Sequence, residues 1–228
     1  MQEKITAAIL IIGNEILTGR TIDKNINFLA KSLNNIGISL CEVRIVRDVE
    51  AAIIAAIRDL SDNYHYVFTT GGIGPTHDDI TAASIAKAFN LALVKNAIAV
   101  SLLEKHYRPG ELNQARLKMA YLPEGSELLD NPVSSAPGFK INNVFVMAGV
   151  PNIMQAMFDA CKPLLKAGRK TLSLAVEAYV TEGFIASFLA ELQKLYIDDI
   201  EIGSYPFIKQ QQLGTSVVFR GLEEDQIE

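Results

Sequence analysis

Apolar runs alternate with amphipathic segments along most of this chain. Residues 6–12 form an apolar run that ends at Gly13, which is typical of a central parallel strand covered on both faces. Apolar positions three and four apart then predict a helix over residues 23–36, with Asp23 as its cap and Gly37 at its end. The same patterns predict further strands over residues 38–46 and 66–70 and a helix over residues 50–60.

The pattern continues through a second strand and turn. Helical spacing recurs over residues 81–89, 98–107 and 113–119. A short strand at residues 143–147 follows a turn-rich segment, and Pro151 then suits the first turn of another helix. Strands that alternate with amphipathic helices indicate βαβ units. We therefore expect an α/β fold with a doubly wound, mostly parallel sheet over residues 1–166.

The character of the chain changes after a short charged segment at residues 166–170. A strand, a helix and two more strands are predicted there, at residues 172–180, 184–195, 199–205 and 214–219. Residues 167–228 are therefore expected to form a small α+β domain. The acidic end at residues 223–228 is expected to fray.

Composition narrows the class of protein. The formal charge is −5 and the basic residues are spread along the chain, which argues against nucleic-acid binding. No apolar run approaches the roughly 18 residues of a membrane-spanning helix, and no secretory signal is recognisable. The expectation is a cytoplasmic protein that acts neither on membranes nor on nucleic acids.

The segment TTGGIGPTHDDIT at residues 69–81 carries the strongest chemical signal. Gly71, Gly72 and Gly74 follow a predicted strand, where glycines let the backbone turn sharply and approach a ligand such as phosphate. Asp78 and Asp79 then add two anionic oxygen donors, the ligands that Mg²⁺ prefers. Glycines at a strand end are often only a turn, and paired aspartates are often only a helix cap. Together, at the carboxyl end of a parallel strand, they predict a phosphate or metal site.

Other polar groups end neighbouring strands. Gly13 and Glu15 follow the first predicted strand, and Asp48 follows the second. Taken singly, Asp48 is more often a helix cap than a catalytic group, but carboxyl ends of parallel strands share one edge. Convergence of Asp48 with Asp79 makes a shared metal site the hypothesis to test.

Five ordered motifs resemble one known family: GNEIL, DKN, GGIGPTHDDIT, LPEGSELLDNPVSSAPGF and AGVPNIM, which begin at residues 13, 23, 71, 122 and 148. They resemble the molybdopterin-binding (MoCF biosynthesis) domain, as in the MoaB and Mog proteins. The nearest branch is the N-terminal domain of CinA-like competence/damage-inducible proteins, over about residues 5–165. The tail is similar to the small domain that accompanies this module in stand-alone members and in eukaryotic FAD synthases. The deamidase domain of full CinA proteins has no counterpart in this sequence, so the resemblance implies no amidohydrolase activity.

The resemblance implies a homo-oligomer, a dimer or trimer, that holds a pterin or nucleotide phosphate over the strand ends. In the CinA-like branch it implies metal-dependent hydrolysis of ADP-ribose or FAD pyrophosphates. The adenylyltransferase branch implies adenylylation of molybdopterin in molybdenum cofactor biosynthesis, and a non-catalytic pterin- or nucleotide-binding role is the third alternative. Both reactions imply a divalent metal ion and catalytic roles for Asp48 and Asp79. For the pyrophosphatase, the expected metal is Mg²⁺ or Co²⁺, and its expected ligands are Asp48, Asp78 and Asp79. The ligand contacts expected are Gly13, Glu15, Gly71, Gly72, Gly74, Thr76 and Gly149.

Three positions depart from the family pattern or divide its branches. The last family motif usually reads PGVPxEM, whereas Ala148 and Ile153 stand here in place of the first Pro and the Glu. Losing that carboxylate would weaken metal binding or substrate orientation, so the resemblance leaves hydrolytic activity open. Asp78 stands where adenylyltransferases commonly carry Arg, which favours the CinA-like branch.

Overall fold

The computed structural model describes residues 4–197, 199–223 and 225. The described chain divides into two compact units. The first runs to Gly168 apart from Asn35–Gly37, and the second begins at Arg169. Of the acidic end, for which fraying is expected, residues 224 and 226–228 lie outside the described residues.

The first unit alternates strands and helices as far as the middle of the chain, and then contains a series of short strands. Its elements in chain order are β1 (Thr6–Ile12), α1 (Asn14–Leu17), α2 (Asn25–Asn35), β2 (Ser39–Val46), α3 (Glu50–Asn63), β3 (Tyr66–Thr70), α4 (Thr81–Ala88), β4 (Leu93–Lys95), α5 (Ala97–His106), α6 (Gln114–Leu117), β5 (Tyr121–Pro123), β6 (Glu127–Leu129), β7 (Gly138–Ile141), β8 (Val144–Met147) and α7 (Pro151–Cys161). Short 3₁₀ helices follow α6 and α7, at Lys118–Ala120 and Lys162–Leu164.

A six-stranded sheet in the order β2-β1-β3-β8-β7-β6 forms the centre of this unit. Strands β2, β1, β3 and β8 are parallel to one another, whereas β7 is antiparallel to both β8 and β6. Strand β1 lies between β2 and β3, so the chain builds outward on one side of β1 and then on the other. Such a switch point is where open α/β sheets bind ligands.

Helices cover both faces of this sheet. On one face Leu10 and Val146 pack in a buried cluster with residues of α3, α4 and α5. On the other face Phe68 stacks on Phe145 and meets Phe158 of α7 edge to face. Because successive strand residues point to opposite faces, continuously apolar strands fit this double cover. The expected doubly wound, mostly parallel sheet is confirmed.

The second unit is a three-stranded antiparallel sheet with one helix. Its elements are β9 (Leu172–Ala178), α8 (Glu182–Leu195), β10 (Ile200–Lys209) and β11 (Gln212–Gly221), with the strand order β10-β11-β9. The expected small α+β arrangement is therefore present. Among the helices described in either unit, none is both long enough and apolar enough to cross a membrane.

Candidate functional site

The carboxyl ends of β1, β3 and β8 meet closely at the switch point. A Cβ atom added to Gly71, which follows β3, would lie 2.1 Å from the carbonyl oxygen of Ile12 at the end of β1. A Cβ added to Gly149, which follows β8, would lie 3.3 Å from the Cα of Gly71. The parallel register of β1, β3 and β8 brings these three strand ends to one edge of the sheet.

The glycine turn after β3 has a backbone conformation with positive φ values, which glycine adopts readily. Gly71 and Gly72 have φ values of 104° and 66°, in the region that side chains disfavour. The carbonyl groups of Gly71 and Gly72 accept hydrogen bonds from the hydroxyl and the N–H of Thr81, each at 3.0 Å. Within the described residues, the N–H groups of Gly72, Ile73 and Gly74 donate to no acceptor. These three successive donors are available to an anionic ligand.

Thr76 joins the two aspartates of the motif. Its N–H donates to Asp79 Oδ2 at 2.8 Å, and its hydroxyl lies within hydrogen-bonding distance of both Asp79 Oδ2 and Asp78 Oδ1. Asp79 is half-buried, whereas Asp78 is exposed. A Cβ on Gly74 would lie 2.7 Å from Asp79 Oδ2, so this carboxylate packs directly against the glycine turn.

The environment of Asp78 favours its charged form. The hydrogen bond from the Thr76 hydroxyl is the main cause that lowers the pKa of Asp78, and the hydrogen bond from its own N–H and the nearby charges of His77 and Lys118 act in the same direction. His77 itself is 97% exposed, with its Nδ1 atom 3.9 Å from Asp78 Oδ1.

Asp48 and the start of α1 form a second polar contact at the same edge. Asp48 Oδ2 accepts a hydrogen bond of 2.9 Å from the N–H of Asn14, the first residue of α1. Gly13 is buried, with its N–H bound to the carbonyl of Val46 at 3.2 Å. The exposed carboxylate of Glu15 lies over it, since a Cβ on Gly13 would come within 2.5 Å of Glu15 Oε1. Asp48 therefore has the role of a helix-terminus partner in the described structure.

The predicted ligands of a shared metal are only partly gathered. Asp78 and Asp79 lie together through Thr76, but the described residues contain no group of three or more His, Cys, Asp or Glu side chains that could hold a metal ion. Asp48 is accordingly not brought into one such group with the other two aspartates. Its role as a metal ligand stays a prediction.

Two further residues belong to the site. Asn25, at the start of α2, is 3% exposed, and its Nδ2 donates to the carbonyl of Gly149 at 2.9 Å. Lys118 donates from Nζ to the carbonyl of Thr76 at 2.6 Å. Asn25 stands in the DKN motif, of which the sequence pattern singled out only Asp23, as a helix cap. Lys118 lies 39 residues beyond Asp79 in the chain, and no local sequence pattern identifies it as a site residue.

A small cavity of about 50 Å³ lies beside the glycine turn. Gly72, Gly74 and Asp79 form one wall, and Lys118 and Tyr121 lie among the residues that line the rest. Most of the lining is apolar. The cavity therefore places one carboxylate and one ammonium group next to the available N–H donors.

Each of the two units matches a known protein family. The family model described as "Probable molybdopterin binding domain" matches residues 8–167, and the model "FAD synthase, middle domain" matches residues 170–228. A protein of Caldivirga maquilingensis is 37% identical over 211 residues, which cover 88% of this chain and 81% of that protein. A probable FAD synthase of Caenorhabditis elegans is 31% identical over 242 residues, which cover 95% of this chain but only 47% of that protein.

A solved structure also resembles the first unit. The protein CinA of Thermoplasma acidophilum, described as of unknown function, is 33% identical with a TM-score of 0.66. The match covers 69% of this chain and 96% of that chain. The family match over residues 8–167 and this structural likeness agree, and the chain belongs to the molybdopterin-binding (MoCF biosynthesis) domain family, in its CinA-like branch.

Proposed function

We propose that this protein is a metal-dependent nucleotide pyrophosphatase that acts on ADP-ribose or a related dinucleotide. The observation that carries the proposal is the glycine turn, whose three available N–H donors lie beside the carboxylates of Asp78 and Asp79. In the hydrolysis of ADP-ribose, a water oxygen bonds to one phosphorus while the bond from that phosphorus to the bridging oxygen breaks. The products are AMP and ribose 5-phosphate.

The residues of the chain would bind and orient the pyrophosphate. The N–H groups of Gly72, Ile73 and Gly74 would hold phosphate oxygens, and Gly149 would line the opposite side of the site. The N–H of Thr76 donates to Asp79 Oδ2, which leaves Oδ1 as the oxygen that can take a proton from the attacking water. This fixed arrangement suits electrostatic stabilisation, because the donors need no reorganisation when charge develops.

The carboxylate pair fits a hard cation. Mg²⁺ is usually held by one or two carboxylates together with substrate phosphate and water, and Asp78 and Asp79 supply two such groups. The lowered pKa of Asp78 keeps this carboxylate charged, as a metal ligand must be. A bound cation would neutralise phosphate oxygens and so favour attack on phosphorus.

Phosphorus NMR of the purified protein with ADP-ribose, FAD or ATP, each with Mg²⁺ or Co²⁺, tests the proposal. Cleavage of ADP-ribose or FAD by the wild type and its loss in Asp79→Asn are expected, since the amide cannot accept a proton as the carboxylate does. Lys140→Gln is the matched control, because this residue pairs with Glu127 at the protein surface. Full hydrolysis by Asp79→Asn would contradict the assignment of Asp79.

A second candidate is binding of a pterin or nucleotide without turnover. Ile153, a half-buried residue in the first turn of α7, stands in place of the acidic residue that the family pattern leads one to expect. The description of the matching family as molybdopterin-binding also supports this candidate. Tight binding with no cleavage at any metal would favour it, and ATP turnover that depends on added molybdopterin would instead favour adenylyl transfer.

A further inference from the structure

We infer that Lys118 and the cavity beside the glycine turn form an anion subsite that binds a phosphate group of the ligand. This inference rests on the proposed function in that both require a phosphate-containing ligand at the turn. Among the described residues that line the cavity, Lys118 is the single cationic side chain and Asp79 the single anionic one.

The ammonium group of Lys118 retains unused hydrogen-bonding capacity. It carries three N–H donors, and one is directed to the carbonyl of Thr76 at 2.6 Å. Within the described residues it has no carboxylate partner inside 4.0 Å, whereas other lysines such as Lys87 and Lys140 do. Lys118 therefore brings a half-buried charge to the cavity without an ion pair.

The charge of Lys118 acts on Asp78 from a distance, but a half-buried cation without a direct ion pair can gain further from a bound anion. The available N–H groups of Gly72, Ile73 and Gly74 lie on the wall of the same cavity or next to it. A phosphate bound between them and Lys118 would accept bonds from both sides. Lysine suits this role as a point charge that can follow different phosphate positions.

The neighbouring aspartates decide which ligand is accepted. Two carboxylates close to Thr76 would repel a phosphate that arrived alone, so the ammonium group and a cation held by the carboxylates would act together. The subsite is therefore expected to prefer a pyrophosphate carried with Mg²⁺. The contact from Lys118 to Thr76 also joins the subsite to the loop that carries both aspartates.

Binding of inorganic pyrophosphate, measured by calorimetry with and without Mg²⁺, tests the inference. Lys118→Gln keeps an N–H donor on a shorter side chain but removes the charge, and we expect its affinity to fall at least tenfold. Lys118→Arg keeps the charge and should stay within about threefold of the wild type, and Lys140→Gln controls for the loss of one positive charge. Amide NMR spectra of each variant check that the loop at Thr76 is retained.

The possible outcomes separate this inference from the proposed function. Wild-type affinity in Lys118→Gln, or no binding of pyrophosphate by the wild type, would overturn the subsite. A loss of affinity in Lys118→Gln that Lys118→Arg restores supports it, even if the wild type cleaves neither ADP-ribose nor FAD. In that last case the subsite would stand and the pyrophosphatase proposal would fail.

Discussion

Thr76 holds the two aspartates of the glycine turn together. The motif predicted it as a phosphate contact, but its hydroxyl is directed to the carboxylates of Asp78 and Asp79. A hydroxyl has one hydrogen, which these two acceptors must share. The N–H of Thr76 already serves Asp79, so the hydroxyl matters more for Asp78.

Thr76→Val should therefore raise the pKa of Asp78 towards its ordinary value, because the bond that chiefly lowers it is lost. In the wild type, the stabilisation from charged Asp78 is present above the pKa of the unfolded residue, about 3.9, and is lost as the pH falls through the lower folded value. NMR titration of the side-chain carboxyl carbons measures the shift. Thr76→Ser is the control, and an unchanged pKa in Thr76→Val would rule out this cause.

Gly71 allows the closest approach of two strand ends in the site. Gly71→Ala should destabilise the fold by about 1–2 kcal/mol for its positive φ and by about 1–3 kcal/mol more for crowding against the Ile12 carbonyl. Gly125→Ala is the matched control, since Gly125 has a φ of 79° but no atom within 4 Å of the added Cβ. Urea denaturation of both variants gives the two free energies of unfolding. Equal losses would mean that the strand ends can move apart.

The sequence predicted the site residues that lie within a recognisable local motif. It did not predict those that reach the site only through the tertiary fold. Gly71 and Gly72 do have positive φ values, as glycines after a strand suggested. Lys118 could not be found, because it joins the loop at Thr76 only through the tertiary arrangement of a helix that lies far along the chain. The contact of Asp48 with the N–H of Asn14 could not be predicted either, because strand order alone does not fix which backbone groups a carboxylate contacts.

At the scale of elements, long and regular patterns predicted best. Strands β1 and β3 have the predicted bounds, and α3 extends three residues beyond its predicted end. The short strands β4 to β7 were missed, because a strand of three or four residues is too short to have a detectable period. Their pairing is decided by partners elsewhere in the fold, which propensity cannot supply.

Helix α5 offers a test of local capping. Asn96 Oδ1 accepts a hydrogen bond of 3.0 Å from the N–H of Ala99, so Asn96→Ala should lower the free energy of unfolding by about 1 kcal/mol. Asn96→Asp retains the acceptor and should stay close to the wild type. Chemical denaturation compares the three proteins, and a loss in Asn96→Asp as large as that in Asn96→Ala would exclude the cap as the reason.

At the scale of the whole molecule, every site residue lies in the first unit, which has its own core. A fragment that ends at Gly168 should therefore fold and keep the site. Amide NMR spectra of this fragment and of the full chain should overlay for residues of the first unit, and a collapsed spectrum would contradict the prediction.

The dimer or trimer that the family resemblance implies stays a prediction. Light scattering of the full chain would determine its oligomeric state.

The site draws its backbone from four separate stretches of the first unit, at the ends of β1, β2, β3 and β8. No shorter stretch can therefore recognise the ligand before the sheet has assembled. A ligand bound here would connect distant parts of the chain and stabilise the folded state. At high ligand concentration this stabilisation grows with the logarithm of the concentration. Ligand binding should therefore slow amide hydrogen exchange throughout the central sheet, and not only in the loops that contact the ligand.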